Sequence, residues 1–426
     1  MLTSSFIKNN PVVAAWLVVL TASLFFFYIF IQMNLFNTMD VELMQAFHLN
    51  APQLGQLSAM FFYADAAFVF PAGILLDRFS VKKLLSCAAV LATLATLTFA
   101  LTENYLVAGV GRLLVGSSAA FSFLSCVRLA SHWFIPQKRA LVIGIVVTMA
   151  MLGGLVAQTP MAMLIHSIGW RYALRVDAGI GILISLMILL IVRDYPAGVA
   201  VNPKPLPIKN RNFGQEINLV LFNKNNWLAG LYAALLNLPV FLLGALWGIH
   251  YLVQVHHLKL VQASYPTTLF FLGVIIGSPA FGWLSDYIGR RILPMIVGAI
   301  LSLAAILLLM CLANLSLSML MLWFFLVGFL TSSQVLIYPT IAELNPPALT
   351  STAVGISSVI IMCSGFIFQP LFGWIMEWHL DHSSLSGEPI YLASHFFHAM
   401  LIMPIACGIS LFVALFIKET YCDYRV

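Results

Sequence analysis

Residues 73–83 read GILLDRFSVKK, and residues 282–291 read GWLSDYIGRR. Each stretch closes a long apolar run with a glycine, an acid four residues later and two basic residues at its end. Gly73 and Asp77 lie 209 residues before Gly282 and Asp286. The fold therefore turns on whether this chain is a duplication, and on why runs this apolar end in charge.

Composition sets the class. Of 426 residues, 62% are hydrophobic and 8% charged, against about 25% charged in an ordinary soluble domain. So few charges cannot clothe a soluble core, and the chain reads as an integral membrane protein. The six cysteines show no CxxC spacing, so neither a disulfide framework nor a zinc site is expected. No P-loop and no nucleophile–histidine–acid set occurs, which points away from an enzyme, a cofactor, a resident metal or a nucleic-acid partner.

A helix needs about 20 apolar residues to cross the hydrocarbon. Runs of that kind lie near 12–33, 54–76, 84–101, 105–130, 140–165 and 173–192, then near 227–252, 265–285, 292–312, 316–338, 352–376 and 397–417. The first is too long for a signal peptide and is expected to be retained. Between the two sets lies a polar stretch with four prolines and five Lys/Arg. The expected organisation is an all-α membrane protein with six spans in 1–192, a linker over 193–226, and six spans in 227–426. Lys8, Arg78, Lys82, Lys83, Lys138, Arg139, the five linker cations, Arg290, Arg291, Lys418 and Arg425 fall on one side. The positive-inside rule places that side and both termini in the cytoplasm.

The halves also match one another. Trp16-Leu17 precedes Trp227-Leu228 by 211 residues, and Gly144, Gly154 and Gln158 precede Gly355, Gly365 and Gln369 by the same offset. Parallel repeats of this kind build transporters whose site lies between the halves near the bilayer midplane.

The two loops resemble the G-x-L-x-D-R-x-G-R-K-x loop of the major facilitator superfamily. Ser80 replaces the family's glycine in the first copy, and Tyr287 its arginine in the second. The resemblance implies twelve helices that rock about a central site, functional as a monomer. Gating is expected from Gly73, Asp77, Arg78 and Lys82 and from Gly282, Asp286 and Arg290. Gly73 lets helices approach closely. Asp77 latches the cytoplasmic side against Arg128 or the start of the eleventh helix near Thr350, or else the loop cations serve only topology. Glu343, at the inner end of the tenth helix, reads as a second-half gate residue or a loop carboxylate.

Charges at membrane depth are costly and usually functional. Asp65 precedes Asp77 by 12 residues, about 18 Å along a helix, hence near mid-membrane. Its repeat counterpart is Val274, so the acid is unrepeated. It reads as a proton-coupling or substrate-binding group, or as a static partner of Arg112. Arg112, with Gly116, matches the R-x-x-x-G pattern of proton-coupled members, which implies electrostatic control of a titrating carboxylate; the alternative is an arginine reaching back to the interface. Asp177 reads as a local interfacial partner of Arg175. Gln158 and Gln369 either face a central solute or bond between helices. Asn34, Asn237, Tyr28 and Tyr232 are further cavity candidates. Nine of ten histidines map to the outer half; solvated loops, acid sensing and metal binding are the available readings, with i,i+3 pairs at His379/His382 and His395/His398.

Helix five lacks the Gly-Pro pair of drug–proton antiporters, which argues against a multidrug exporter. FFFYIF, GRLLVGSSAAFSFLSCVRLASHWF, MLGGLVAQTP and GFIFQPLFGW resemble the bacterial branch that includes the phagosomal transporter (Pht) family. Many of its members carry a tyrosine where this chain has Asp65. The branch implies proton-coupled uptake of an amino acid or related small polar metabolite across the inner membrane. The alternative is an exporter, or a carrier of a larger solute such as a siderophore or drug.

Overall fold

The computed structural model describes residues 11–196, 218–312, 315–346, 349–378 and 391–422. Every regular element among them is helical. The first half holds α1 (Pro11–Asn34), α2 (Asp40–Phe47), α3 (Ala51–Arg78), α4 (Val81–Leu101), α5 (Tyr105–Trp133), α6 (Pro136–Val156), α7 (Thr159–Ile168) and α8 (Trp170–Ile191). The second holds α9 (Lys224–Leu236), α10 (Gly248–His256), α11 (Leu260–Ile288), α12 (Ile292–Cys311), α13 (Leu317–Thr331), α14 (Ile337–Leu344), α15 (Thr350–Trp378), α16 (Ala393–Met400) and α17 (Ile402–Ala414). Below, the basic end is the one carrying the Lys/Arg-rich loops; the other is the far end.

Eleven helical stretches among the described residues are long and apolar enough to cross a bilayer. The twelfth expected crossing, 227–252, is interrupted. Its α9 stops at Leu236, a π segment runs over Val240–Gly244, and α10 resumes at Gly248. The ladder shifts register here, with the Trp247 N–H bonding back to the Leu242 carbonyl, so carbonyls are released inside the membrane and need donors from elsewhere. Pro160 similarly separates α6 from α7 within one span.

Close approach within each half follows the repeat. A Cβ on Gly116 would lie 2.1 Å from the Phe61 carbonyl oxygen, and one on Gly328 would lie 2.0 Å from that of Phe270. Phe61 and Phe270 are 209 residues apart. Small residues at these crossings let backbones pack where no hydrophobic effect drives helices together.

A second equivalence was hidden in the sequence. Asp194, just past α8, accepts the Lys82 backbone N–H at 2.7 Å at the start of α4. Glu419, just past α17, accepts the backbone N–H groups of Arg291 and Ile292 at 2.8 and 3.0 Å at the start of α12. In each half, an acid after the last span caps the helix that follows the motif loop, where unpaired amides and the helix dipole favour negative charge.

Candidate functional site: the seam between the halves

At the far end the two halves interlock. Phe271 of α11 sits where a Cβ on Gly154 of α6 would stand, 2.7 Å away at its nearest atom. Phe62 of α3 fills the same place beside Gly365 of α15, at 2.9 Å. Phe62 and Phe271 are repeat-equivalent, as are Gly154 and Gly365, so each half offers one ring and one hole to the other. Tyr63 stacks on Phe366 at 4.6 Å between ring centres, and Thr159 bonds Ser264 and Thr268.

The released carbonyls of 240–244 are bound from both halves. The Gln158 amide donates to the Gly244 carbonyl at 2.9 Å, and the Gln369 amide to that of Phe241 at 2.9 Å. Gln158 and Gln369 thus clamp the broken span, Gln158 from the opposite half and Gln369 from its own. Asn37 completes the clamp. Its amide donates to Gln158 Oε1 (2.8 Å) and the Leu243 carbonyl (3.0 Å), and its oxygen accepts the Ile249 N–H (2.9 Å). Asn37 is fully buried, and nothing in the sequence separates it from the polar residues around it, Asn34, Thr38 and Asp40.

The basic end differs. Gly73, Gly282, Gly144 and Gly355 have nothing among the described residues within 4 Å of where a Cβ would stand. The close approach expected of Gly73 is not made in this conformation. Arg78 and Arg290 are exposed. The side chain of Asp77, and those of Thr350 and Ser351, lie outside the described residues. Arg128 is half-buried at the basic end of α5.

Arg291, rather than Arg290, organises the second motif copy. Its guanidinium donates to Glu343 (2.7 Å), Asp286 (2.5 Å) and Ser285 (3.1 Å). Glu343 is buried and also accepts from Thr420. All of these residues belong to the second half. Glu343 is therefore neither a loop carboxylate nor a contact to the first half here, but part of an internal brace.

The intramembrane charges are placed differently from the sequence reading. Arg112 is buried inside the first half, donating to the carbonyls of Gln32 (2.8 Å) and Ser58 (3.4 Å). It lies over the rings of Phe36 and Phe61. No ion pair joins it to Asp65 among the described residues. Asp177 is fully buried and accepts from Gln32, not from Arg175 at an interface. Gln32 in turn accepts from Thr96, which accepts from Tyr28. Tyr28 therefore faces into the first half, and Tyr232, donating to the Met295 carbonyl at 2.9 Å, faces into the second; neither lines a central cavity. Asn34 donates to its own helix at Phe30, and Asn237 accepts from Gln334.

Asp65 lies two residues toward the basic end from the Tyr63–Phe366 stack, 8% exposed, with no hydrogen bond or ion pair among the described residues. A separate cavity of about 630 Å³, lined by Tyr251, His256, Met310 and Phe397, opens at the far end within the second half alone. No group of three or more metal-ligating side chains occurs among the described residues. His379 and His382 lie outside the described residues.

A family model for the Major Facilitator Superfamily matches residues 18–266 and 233–421. The chain belongs to this superfamily. A bacterial homologue of the human lysosomal transporter Spinster has the same fold as this facilitator, with a TM-score of 0.78 at 17% identity over 94% of this chain and 97% of the other. The facilitator is 25% identical over 246 residues to a hexuronate transporter of Bacillus subtilis. It is 23% identical over 259 residues to a probable hexose phosphate transport protein of Chlamydia pneumoniae. These matches span 58% and 57% of the relatives' lengths. A probable galactarate/D-glucarate transporter of Escherichia coli is 22% identical over 83% of its length. These relatives are named for sugar acids and sugar phosphates, and on that finding the amino-acid expectation is set aside.

Proposed function

We propose that this facilitator moves a small polar organic solute, of the sugar-acid or sugar-phosphate class, into the cell by alternating access. The bilayer is a bacterial inner membrane, the basic end and both termini are cytoplasmic, and the conformation described is the inward-facing one. The observation that carries this reading is the contrast along one seam. Reciprocal Phe–Gly contacts and a polar clamp close the far end, while four repeat-equivalent glycines at the basic end meet nothing among the described residues within 4 Å of a Cβ. Rocking of the two halves about such a seam exposes a central site to each side in turn.

Uptake is proton-coupled on this reading, with Asp65 as the coupling group. A carboxylate buried at mid-membrane, with no hydrogen bond or ion pair among the described residues, is costly as an anion and gains from taking a proton or contacting solute. On this reading Asp77 latches the basic end in the outward-facing state, its partner across the seam being the start of α15 near Thr350. The test is uptake of radiolabelled sugar acids and sugar phosphates into proteoliposomes under imposed pH gradients of either sign. Accumulation driven by an outside-acidic gradient supports the reading. Uptake only down the solute's own gradient overturns the coupling, and outward pumping overturns the direction.

A further inference from the structure

The far-end seam holds a polar side-chain contact that the clamp does not use. Asp40 opens α2 in the first half, and His250 lies on α10 in the second. His250 Nδ1 stands 2.6 Å from Asp40 Oδ2, with both side chains almost wholly buried. The rings of Phe396, Tyr391 and Trp247 surround the imidazole, with centres 5.4, 6.1 and 6.2 Å away. Asp40 Oδ1 and His250 Nε2 have no hydrogen-bond partner among the described residues. Two further cross-half ties flank the pair: the Ala51 N–H donates to the Tyr391 hydroxyl at 2.9 Å, and the Asn50 amide to Glu377 at 3.0 Å.

We infer that Asp40 and His250 are the lock of the far-end gate, a cross-half pair that each transport cycle breaks and remakes. This rests on the alternating-access reading above. The partners sit on opposite halves, so rocking must separate them. Once apart, each regains water and neither is stranded. In the sealed state each side chain is the other's one hydrogen-bond partner among the described residues, so losing one leaves the other buried without compensation. Such a contact is present in one state and absent in the other, which makes it a positioning element of the gate rather than general packing. Sequence reading grouped His250 with the other outer histidines and did not single out Asp40, because only the fold brings positions 40 and 250 together.

The test reads the far-end opening directly. A cysteine replacing Ala51, which is fully buried in the seam, is labelled with a membrane-impermeant maleimide, and the labelled peptide is identified by mass mapping. Asp40→Asn and His250→Gln are each expected to raise labelling at least tenfold. The exchange Asp40→His with His250→Asp is expected to return it toward the native value, which a merely structural role would not do. Thermal unfolding of each variant checks that the chain remains folded. Labelling unmoved by the single variants, or unrestored by the exchange, overturns the lock. If Asn37→Ala raises labelling while the lock variants do not, only the lock fails. If no seam variant moves it, alternating access itself fails.

Discussion

The two ends of the seam are made from one duplicated unit and behave differently. At the far end, Phe62 and Phe271 fill holes beside Gly365 and Gly154, and Asn37 joins both halves to the carbonyls of a broken helix. At the basic end, glycines of the same helices have nothing among the described residues within 4 Å of where a Cβ would stand, and Arg291 and Asp194 bind within their own halves. Repeat symmetry therefore supplies the shape of the gate, while departures from symmetry supply its chemistry. Asp65, Asn37, Asp40 and His250 are such departures.

The hardest blow to the comparison is struck at Asp65. Asp65→Asn is expected to reduce gradient-driven accumulation to simple equilibration, with folding and insertion unchanged; persistence of pH-dependent uptake would remove Asp65 from the coupling role. Next is Asn37→Ala, which strands Gln158 Oε1, the Leu243 carbonyl and the Ile249 N–H. Unsatisfied buried groups of this kind cost roughly 2–3 kcal/mol in total after partial compensation, so the sealed far end should lose population by about a hundredfold in maleimide accessibility. Gly154→Leu tests the reciprocal packing. Overpacking against Phe271 should disfavour the sealed state by about 2 kcal/mol, and adding Phe271→Ala should restore it; an unrescued loss would mean the glycine matters for another reason.

The smallest effect concerns Glu42, at the far end beside Asp40. Burial, and then the Asp40 charge, raise its carboxyl to about 7 from its ordinary value near 4.5. A raised carboxyl binds its proton more tightly in the folded state. The folded state is thus unpenalised below about pH 4.5 and loses stability as pH rises through 7. Glu42→Gln should therefore raise stability at pH 8 by on the order of 1 kcal/mol, after allowing for solvent screening, and by less at pH 5. Thermal unfolding of the two proteins at both pH values measures this, and an equal gain at both would contradict it.

Much of the fold was legible in the sequence for plain reasons. Twenty-residue apolar runs have few ways to satisfy their backbone in lipid, and the 209- and 211-residue offsets located Gly154 and Gly365 before their partner rings were known. The run 227–252 read as one continuous span, because its break shows only in carbonyls that donors on distant helices satisfy. Asp177 misled because its neighbour Arg175 offered a local pair, whereas helix packing brought Gln32 to it instead. Arg112 was found by pattern, yet its contacts are backbone carbonyls and rings, which no spacing predicts. Arg291 was hidden beside Arg290, since which of two adjacent cations turns inward is decided by the loop's geometry.

The central claim is that one seam alternates between its two ends, and distances across the basic end test it most directly. Spin labels on Gly73→Cys and Gly355→Cys should report a long distance in the resting protein. The account predicts that a transported sugar acid or sugar phosphate, or an outside-acidic gradient, adds a distinctly shorter population as the basic end closes. A single distance that neither solute, pH nor Asn37→Ala can move would contradict it.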